Sequence, residues 1–273
     1  MSDFFVPIPK MTADEARAFV QKNRDVSYTL LDVRQEDEFR VAHLPGATLI
    51  PLDQLPDRIG ELDPQKPTLV YCRAGGRGCS GTTLLVSAGF ENVWNIEGGI
   101  LAWKGLVAWG APDVAMAWFD PARTETDYVA LAWVLEQSAR KFYAAMAERF
   151  SGSEEGSLFS NLSGQEEGHM ALLLKTYRKA SGTDQMVLDR DMEPQMEGGV
   201  PLADALAWAD DRSALEVLEF SLAAEANAYD RYLKIAKETK NEAIKDTFFK
   251  LSEAEKVHLN RLSLAFKSSL DEE

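Results

Sequence analysis

The sequence predicts two domains of different class: an α/β domain with a parallel sheet flanked by helices over residues 1–110, and an all-α four-helix bundle over residues 127–273. Three observations carry this reading. The 273 residues exceed one ordinary domain, since domains run to about 100–200 residues. As far as about residue 110, short apolar runs alternate with helical stretches, as strands joined by crossover helices do. Beyond it, strand patterns vanish and apolar residues recur at helical spacing, as in Leu131, Leu135, Phe142 and Met146.

In the first part, Thr12 with Glu15 three residues later marks the start of a helix that runs to about Lys22. Residues 27–33 (SYTLLDV), Thr68–Tyr71 (TLVY) and Val93–Ile96 (VWNI) read as strands. Residues 81–88 read as a helix opening after a glycine-rich turn. Residues 111–126, with Pro112 and Pro121, read as a linker. Four long helices are expected at about 127–150, 155–181, 211–239 and 241–268. The connection 182–201 holds Pro194, Gly198, Gly199 and Pro201, and a short helix is expected at Leu202–Ala209. One long crossover between two helix pairs is an established bundle topology.

Composition narrows the function classes. The net charge of −15 argues against nucleic acid as a partner and against an anionic membrane surface. Residues 1–115 carry 11 basic against 15 acidic side chains, and the rest of the chain 18 against 29. The acidic surplus therefore sits in the helical part, where carboxylates can hold metal ions. Two cysteines, Cys72 and Cys79, supply neither a disulfide framework nor a four-cysteine metal centre. The first residues lack the basic and apolar segments of a secretory signal, and no apolar run approaches ~18 residues. The expectation is a cytoplasmic protein.

Residues 71–78 read YCRAGGRG: a cysteine ends a strand, a glycine-rich loop follows, and a helix begins. Gly75, Gly76 and Gly78 let the backbone curl so that several N–H groups point inward. The helix adds its positive end, and Arg73 and Arg77 add formal charge. Such surroundings favour a thiolate nucleophile and would equally stabilise a persulfide or an anionic donor.

The helical part holds a second constellation. His169 and His258 each follow a glutamate by three residues, Glu166 and Glu255, so each pair shares one helix face. Glu136 and Glu225 are lone inward candidates on the other two helices. The spacing from Glu136 to Glu166 is 30 residues, as is that from Glu225 to Glu255. An offset of 89 residues relates 136 to 225, 166 to 255, 169 to 258, and Tyr143 to Tyr232, which points to an internal two-fold repeat of helix pairs. Four carboxylates neutralise two divalent ions, and two imidazoles complete a shell with open positions. Without a cation, four glutamates facing one core would repel one another and resist burial.

These residues bring two family resemblances. Residues 28–104 resemble a single rhodanese domain in LLDVRQEDEF (30–39), HLPGA (43–47), IPLDQL (50–55), VYCRAGGR (70–77) and GFENVWNIEGGILAW (89–103). The resemblance implies a rhodanese fold in which Cys72 takes a sulfane sulfur as a persulfide and passes it on. The donor would be of thiosulfate or persulfide type, and the acceptor a thiol or a cyanide-like nucleophile. Arg73 and Arg77 match the two arginines of the family's active loop, Asp32 and Arg34 the pair supporting it, and His43 a structural position. Phosphatase-type relatives have a longer loop, so phosphatase chemistry is disfavoured. Cys79 reads as a small packed residue on the following helix, with a resolving thiol as the alternative.

Residues 127–268 resemble the rubrerythrin-like members of the ferritin superfamily in WVLEQSARKFY (133–143), QEEGH (165–169), LAAEANAYDRY (222–232) and SEAEKVH (252–258). The resemblance implies a di-iron centre with Glu136, Glu166, His169, Glu225, Glu255 and His258 as ligands, and Tyr143 and Tyr232 as donors beside it. Zinc and manganese are alternatives, because sequence fixes ligand type better than metal identity. Ala228 stands where rubrerythrins usually carry an extra carboxylate, and the CxxC pairs of their rubredoxin module are absent from the sequence. A homodimer is implied as well. The functional expectation is a sulfurtransferase fused to a di-iron domain that acts on oxygen, peroxide or sulfur species. The alternative is an iron-binding or iron-sensing protein whose first domain only carries sulfur or docks partners.

Overall fold

The computed structural model describes residues 8–23, 28–109, 124–183, 194–197 and 199–272. The chain divides into two compact units, Met1–Pro112 and Asp113–Glu273. Most of the expected linker and of the connection 182–201 lies outside the described residues, as does Ser27 of the first expected strand.

In the first unit β1 (Lys10–Met11), β2 (Thr29–Asp32), β3 (Thr48–Leu49), β4 (Thr68–Tyr71) and β5 (Val93–Ile96) form one parallel sheet in the order β1-β5-β4-β2-β3. All four residues of the central β4 are buried, as a parallel strand covered on both faces requires. Alternate residues feed two cores. Leu30, Leu69, Tyr71 and Ile96 pack with Phe39 and Leu44 on one side. Leu31, Val33, Val70 and Val93 pack with Leu55, Leu85 and Phe90 on the other.

The helices of this unit are α1 (Ala13–Lys22), α2 (Glu36–Val41), α3 (Leu55–Arg58), α4 (Gly76–Ser87) and α5 (Gly99–Ala102). The expected capping box opens α1: Thr12 N–H donates to Glu15 Oε2 at 2.8 Å and Glu15 N–H to Thr12 Oγ1 at 3.2 Å. The α4 helix begins at Gly76, five residues before the expected start. Only Gly75, with φ of +100°, belongs to the turn. Gly78 is helical and glycine for a different reason: a Cβ there would lie 2.1 Å from Asn95 Oδ1, so its absence lets α4 press onto β5. Close packing, not a loop, accounts for that glycine.

The short α5 docks under the cysteine loop. Ile100 N–H donates to Cys72 O at 2.8 Å and Leu101 N–H to Arg73 O at 3.2 Å. A Cβ on Gly99 would lie 2.2 Å from Cys72 O.

In the second unit α6 (Glu125–Arg149) pairs with α7 (Glu154–Ser181), and α9 (Ala214–Glu238) with α10 (Glu242–Glu272). The short α8 (Leu202–Ala209) stands where the sequence puts it. Capping boxes start α6 at Thr124 with Asp127 and α9 at Ser213 with Glu216, and Ser153 caps α7. Two apolar layers hold the four long helices together. One contains Leu131, Leu135, Leu173, Tyr232, Phe248 and Leu251. The other contains Phe142, Met146, Phe159, Leu162, Leu218 and Leu262. On every long helix the acidic or histidine candidates fall between the stretches that serve the two layers. Among the described residues, no helix is long and apolar enough to cross a membrane.

Gly99→Ala should destabilise the first unit by ~1–3 kcal/mol, because backbone must give way under the cysteine loop. Gly76, whose Cβ would meet nothing within 4 Å, should accept alanine at a change below ~0.5 kcal/mol. Urea unfolding of the two variants checks this; equal stabilities would refute the tight docking of α5.

Candidate active site and candidate metal centre

Cys72 follows β4 and lies at the base of the loop that leads into α4. It is only 2% exposed, so its sulfur sits at the floor of the loop and not on its rim. Gly75 N–H donates to Cys72 Sγ at 3.1 Å. The left-handed Gly75 turns that amide inward, and the first turn of the 12-residue α4 begins next to it.

The two loop arginines are not equivalent. Arg73 is exposed. Arg77 is tied to Glu38 of α2 by two hydrogen bonds, 2.6 and 2.7 Å long, so its charge is partly paired. That hydrogen-bonded pair raises the Arg77 pKa, and it lowers that of Glu38 below the usual carboxylate range. Sequence reading did not single out Glu38, although it lies within the 30–39 segment; its pairing across 39 residues had no local signature.

Asp32 and Arg34 form a buried bidentate pair, with Nη2–Oδ2 at 2.6 Å and Nε–Oδ1 at 3.0 Å. Arg34 also donates to Ala42 O at 2.7 Å and lies over the Tyr71 ring. Tyr71 OH accepts from Leu44 N–H at 3.1 Å. This pair therefore braces the residue just before Cys72. His43 is buried, stacks on Phe39 at 3.7 Å and sets Nδ1 3.0 Å from Phe39 O, which is a structural placement. Cys79 is half-buried and accepts a hydrogen bond from Asn95 Nδ2 at 3.3 Å.

The six candidate residues of the bundle meet between the two apolar layers. They form two four-residue groups, Glu136–Glu166–His169–Glu255 and Glu166–Glu225–Glu255–His258, in each of which one donor atom per residue lies within 4.8 Å of the others. Glu166 and Glu255 belong to both groups, whereas Glu136 and Glu225 each belong to one. His169 Nδ1 lies 3.1 Å from Glu136 Oε2, and His258 Nδ1 lies 3.1 Å from Glu225 Oε2. Tyr143 OH on α6 donates to Glu225 on α9, and Tyr232 OH on α9 donates to Glu136 on α6. The spacing repeat in the sequence thus becomes a two-fold exchange of contacts in space.

The electrostatics are those of crowded buried charge. Burial first, then Glu136 and Glu255, pushes Glu166 well above the ordinary carboxylate pKa. Burial and Glu255 push Glu225 up to about 8, with His258 opposing. Burial alone would lower His258, but Glu225 and Glu255 outweigh it and raise it to about 11. His169 is raised in the same sense by Glu255 and Glu136. Burial would raise Glu255 too, yet the two imidazoles hold it well below the usual range. Protons on imidazole thus supply the positive charge the carboxylates demand. Glu166 Oε2 and Glu255 Oε1 are buried 2.8 and 3.2 Å from His169 Nδ1, and four carboxylates with two imidazoles make a donor set that fits a pair of divalent transition ions.

Sequence reading also missed Glu197, buried in the connection before α8 and ion-paired with the buried Arg231 of α9. Burial raises its pKa to about 7; Arg231 opposes this, and Glu136 and Glu255 add to it. It lies outside the helical repeat, so spacing gave no signal for it.

Fold and sites together define a two-domain protein that joins a cysteine-loop α/β unit to a carboxylate–histidine helical bundle. The family profile described as rhodanese-like domain matches residues 12–106, and the profile described as rubrerythrin matches residues 127–266. The chain belongs to the rubrerythrin family and carries a rhodanese-like domain before that region. It is 44% identical over 79 residues to the chloroplastic rhodanese-like/PpiC domain-containing protein 12 of Arabidopsis thaliana, covering 28% of this chain and 26% of that protein. It is 34% identical over 97 residues to the uncharacterized protein YqhL of Bacillus subtilis, covering 36% of this chain and 73% of that one. It is 35% identical over 75 residues to the thiosulfate sulfurtransferase GlpE of Pseudomonas entomophila, covering 28% and 69%. The chain thus spans about a quarter of the length of the plant relative.

Cation uptake at neutral pH should release protons, because His169 and His258 must lose theirs before their ring nitrogens can bind an ion. Calorimetry of Co(II) binding in buffers of different ionisation enthalpy measures this, and no proton release would contradict the charge balance described. At 100 times Kd, the bound ion should stabilise the protein by ~2.7 kcal/mol, read as a rise in Tm that a chelator reverses.

Proposed function

We propose that the first domain, residues 1–110, is a sulfurtransferase with Cys72 as the nucleophile, joined through residues 111–126 to a di-iron bundle, residues 127–273. The observation that carries the first half is the position of Cys72 Sγ beneath the Gly75 N–H, where α4 begins. Anionic sulfur is stabilised there by an amide and by the positive end of the helix. The Cys72 thiolate attacks the outer sulfur of a thiosulfate-type donor. The donor's S–S bond breaks, sulfite leaves with the electron pair, and Cys72 carries a persulfide. A thiol or cyanide-like acceptor then attacks the outer sulfur, and the thiolate returns. Arg73, exposed at the loop, suits the recognition of an anionic donor; Arg77, held by Glu38, keeps the loop in shape. A relative named as a thiosulfate sulfurtransferase supports this donor class.

In the bundle, Glu136, Glu166, His169, Glu225, Glu255 and His258 would hold two iron ions. Bound iron would supply one-electron redox chemistry with open positions for oxygen, peroxide or a sulfur species. Tyr143 and Tyr232 hold their protons toward their partner glutamates, since burial first, then Glu225 and Glu136 respectively, pushes both phenols well above their usual pKa. Their role is to orient those carboxylates and keep water off them. The rubrerythrin match over 127–266 supports iron over zinc or manganese.

Thiosulfate-to-cyanide sulfur transfer tests the first half. Cys72→Ser should lower it by at least ~10³-fold and leave metal content unchanged. Glu166→Gln should do the reverse, losing the metal while sulfur transfer persists. Transfer that survives Cys72→Ser would sink the assignment of the nucleophile.

A further inference from the structure

The cavity at the centre of the bundle has one wall that the two four-residue groups do not use. Glu136, Glu166, Glu225 and Glu255 line it together with Ala228, Met196 and Glu197. Glu197 does not come from the long helices. It comes from the connection before α8, where a tight turn sets it in place. Met196 N–H donates to Val200 O at 2.7 Å, Gly199 N–H to Met196 O at 3.1 Å, and Leu202 N–H to Pro194 O at 2.8 Å. Met196, 1% exposed, anchors the turn in the apolar layer of Phe142 and Leu218.

Glu197 is 7% exposed and ion-paired with Arg231, which is itself 1% exposed. Glu197 Oε2 rests against Arg231 Nη1, whereas Oε1 is buried without a hydrogen bond. Arg231, Ala228 and Glu225 follow one another at intervals of three along α9, so Ala228 neighbours each of the other two on the helix surface. The short side chain of Ala228 leaves the wall between the other two open to a side chain from elsewhere. A carboxylate that served only as a counter-ion for Arg231 would gain nothing from sharing a cavity with four other glutamates; their repulsion would count against it.

We propose that Glu197 is a fifth carboxylate of the metal centre, delivered by the crossover connection rather than by a bundle helix. The proposal rests on the reading of the bundle as a two-cation site. In this structure Glu197 is paired with Arg231 and stands outside both four-residue groups, so reaching an ion takes a rotation of its side chain. The charge balance says when it turns. Four glutamates neutralise two divalent ions, and a pair of higher charge leaves an excess that a fifth carboxylate offsets. Arg231 holds the side chain when that excess is absent. The centre thereby gains a carboxylate that responds to the charge on the ions.

The test compares full-length wild type, Glu197→Gln and Arg231→Gln in competition titrations against a chelator, with Co(II) as the divalent probe and Tb(III) as the trivalent one. Wild type that binds no Co(II) overturns the two-cation reading itself, whatever Glu197 does. If wild type and Glu197→Gln both bind two Co(II), Glu197→Gln should bind Tb(III) at least ~10-fold more weakly, with Co(II) affinity changed less than ~3-fold. Equal Tb(III) affinities in those two proteins overturn the proposal. Arg231→Gln keeps the carboxylate and removes its holding partner, so its Tb(III) affinity should match or exceed that of wild type. A loss in Arg231→Gln as large as in Glu197→Gln would also overturn it, since both residues would then act only through their pair. This second variant decides the matter should Glu197→Gln fail to fold.

Discussion

The bundle is organised around one unfavourable fact: four glutamates are buried in the same small space. Like charges in a medium of low polarity repel strongly and lose their hydration. The protein answers with geometry. Glu225 and Glu136 each accept a hydrogen bond from a tyrosine of the opposite helix pair, each imidazole sits among carboxylates, and apolar layers lie on either side. Glu166 and Glu255, the two residues shared by both groups, set Oε2 and Oε1 at 2.8 and 3.2 Å from His169 Nδ1.

The α/β unit meets a smaller version of the same problem with different means. One sulfur, not four carboxylates, needs stabilising, and a backbone amide with a helix end suffices. The loop stays short because both flanks are fixed. The Asp32–Arg34 pair and Tyr71 brace the incoming strand, and α5 hydrogen-bonds the carbonyls of Cys72 and Arg73 from beneath. Formal charge at the rim is moderated by Glu38, which claims Arg77 and leaves Arg73 to solvent.

Much of this was legible in the amino-acid order because periodic patterns carry it. The strands at 68–71 and 93–96, the capped α1 and the short α8 lie where alternation, capping and spacing place them. The long helices fall within a few residues of expectation, and the offset of 89 brought Glu136, His169, Glu225 and His258 to one place. The start of α4 was misjudged because glycine signals both turn and close packing, and only the neighbour at Asn95 tells which. Glu38, Glu197 and Arg231 went unnoticed because each acts through a partner far along the chain. An ion pair across 39 residues leaves no local trace.

The doubled architecture also dictates an order of events during synthesis. The first helical hairpin leaves the ribosome with Glu136, Glu166 and His169 facing no counterpart, for Glu225, Glu255 and His258 lie 89 residues behind them. Neither hairpin alone can close either four-residue group, since each group draws on both. Metal loading must therefore wait for the second hairpin to arrive, and a nascent chain stalled between the two would carry a naked acidic face open to any stray cation or chaperone.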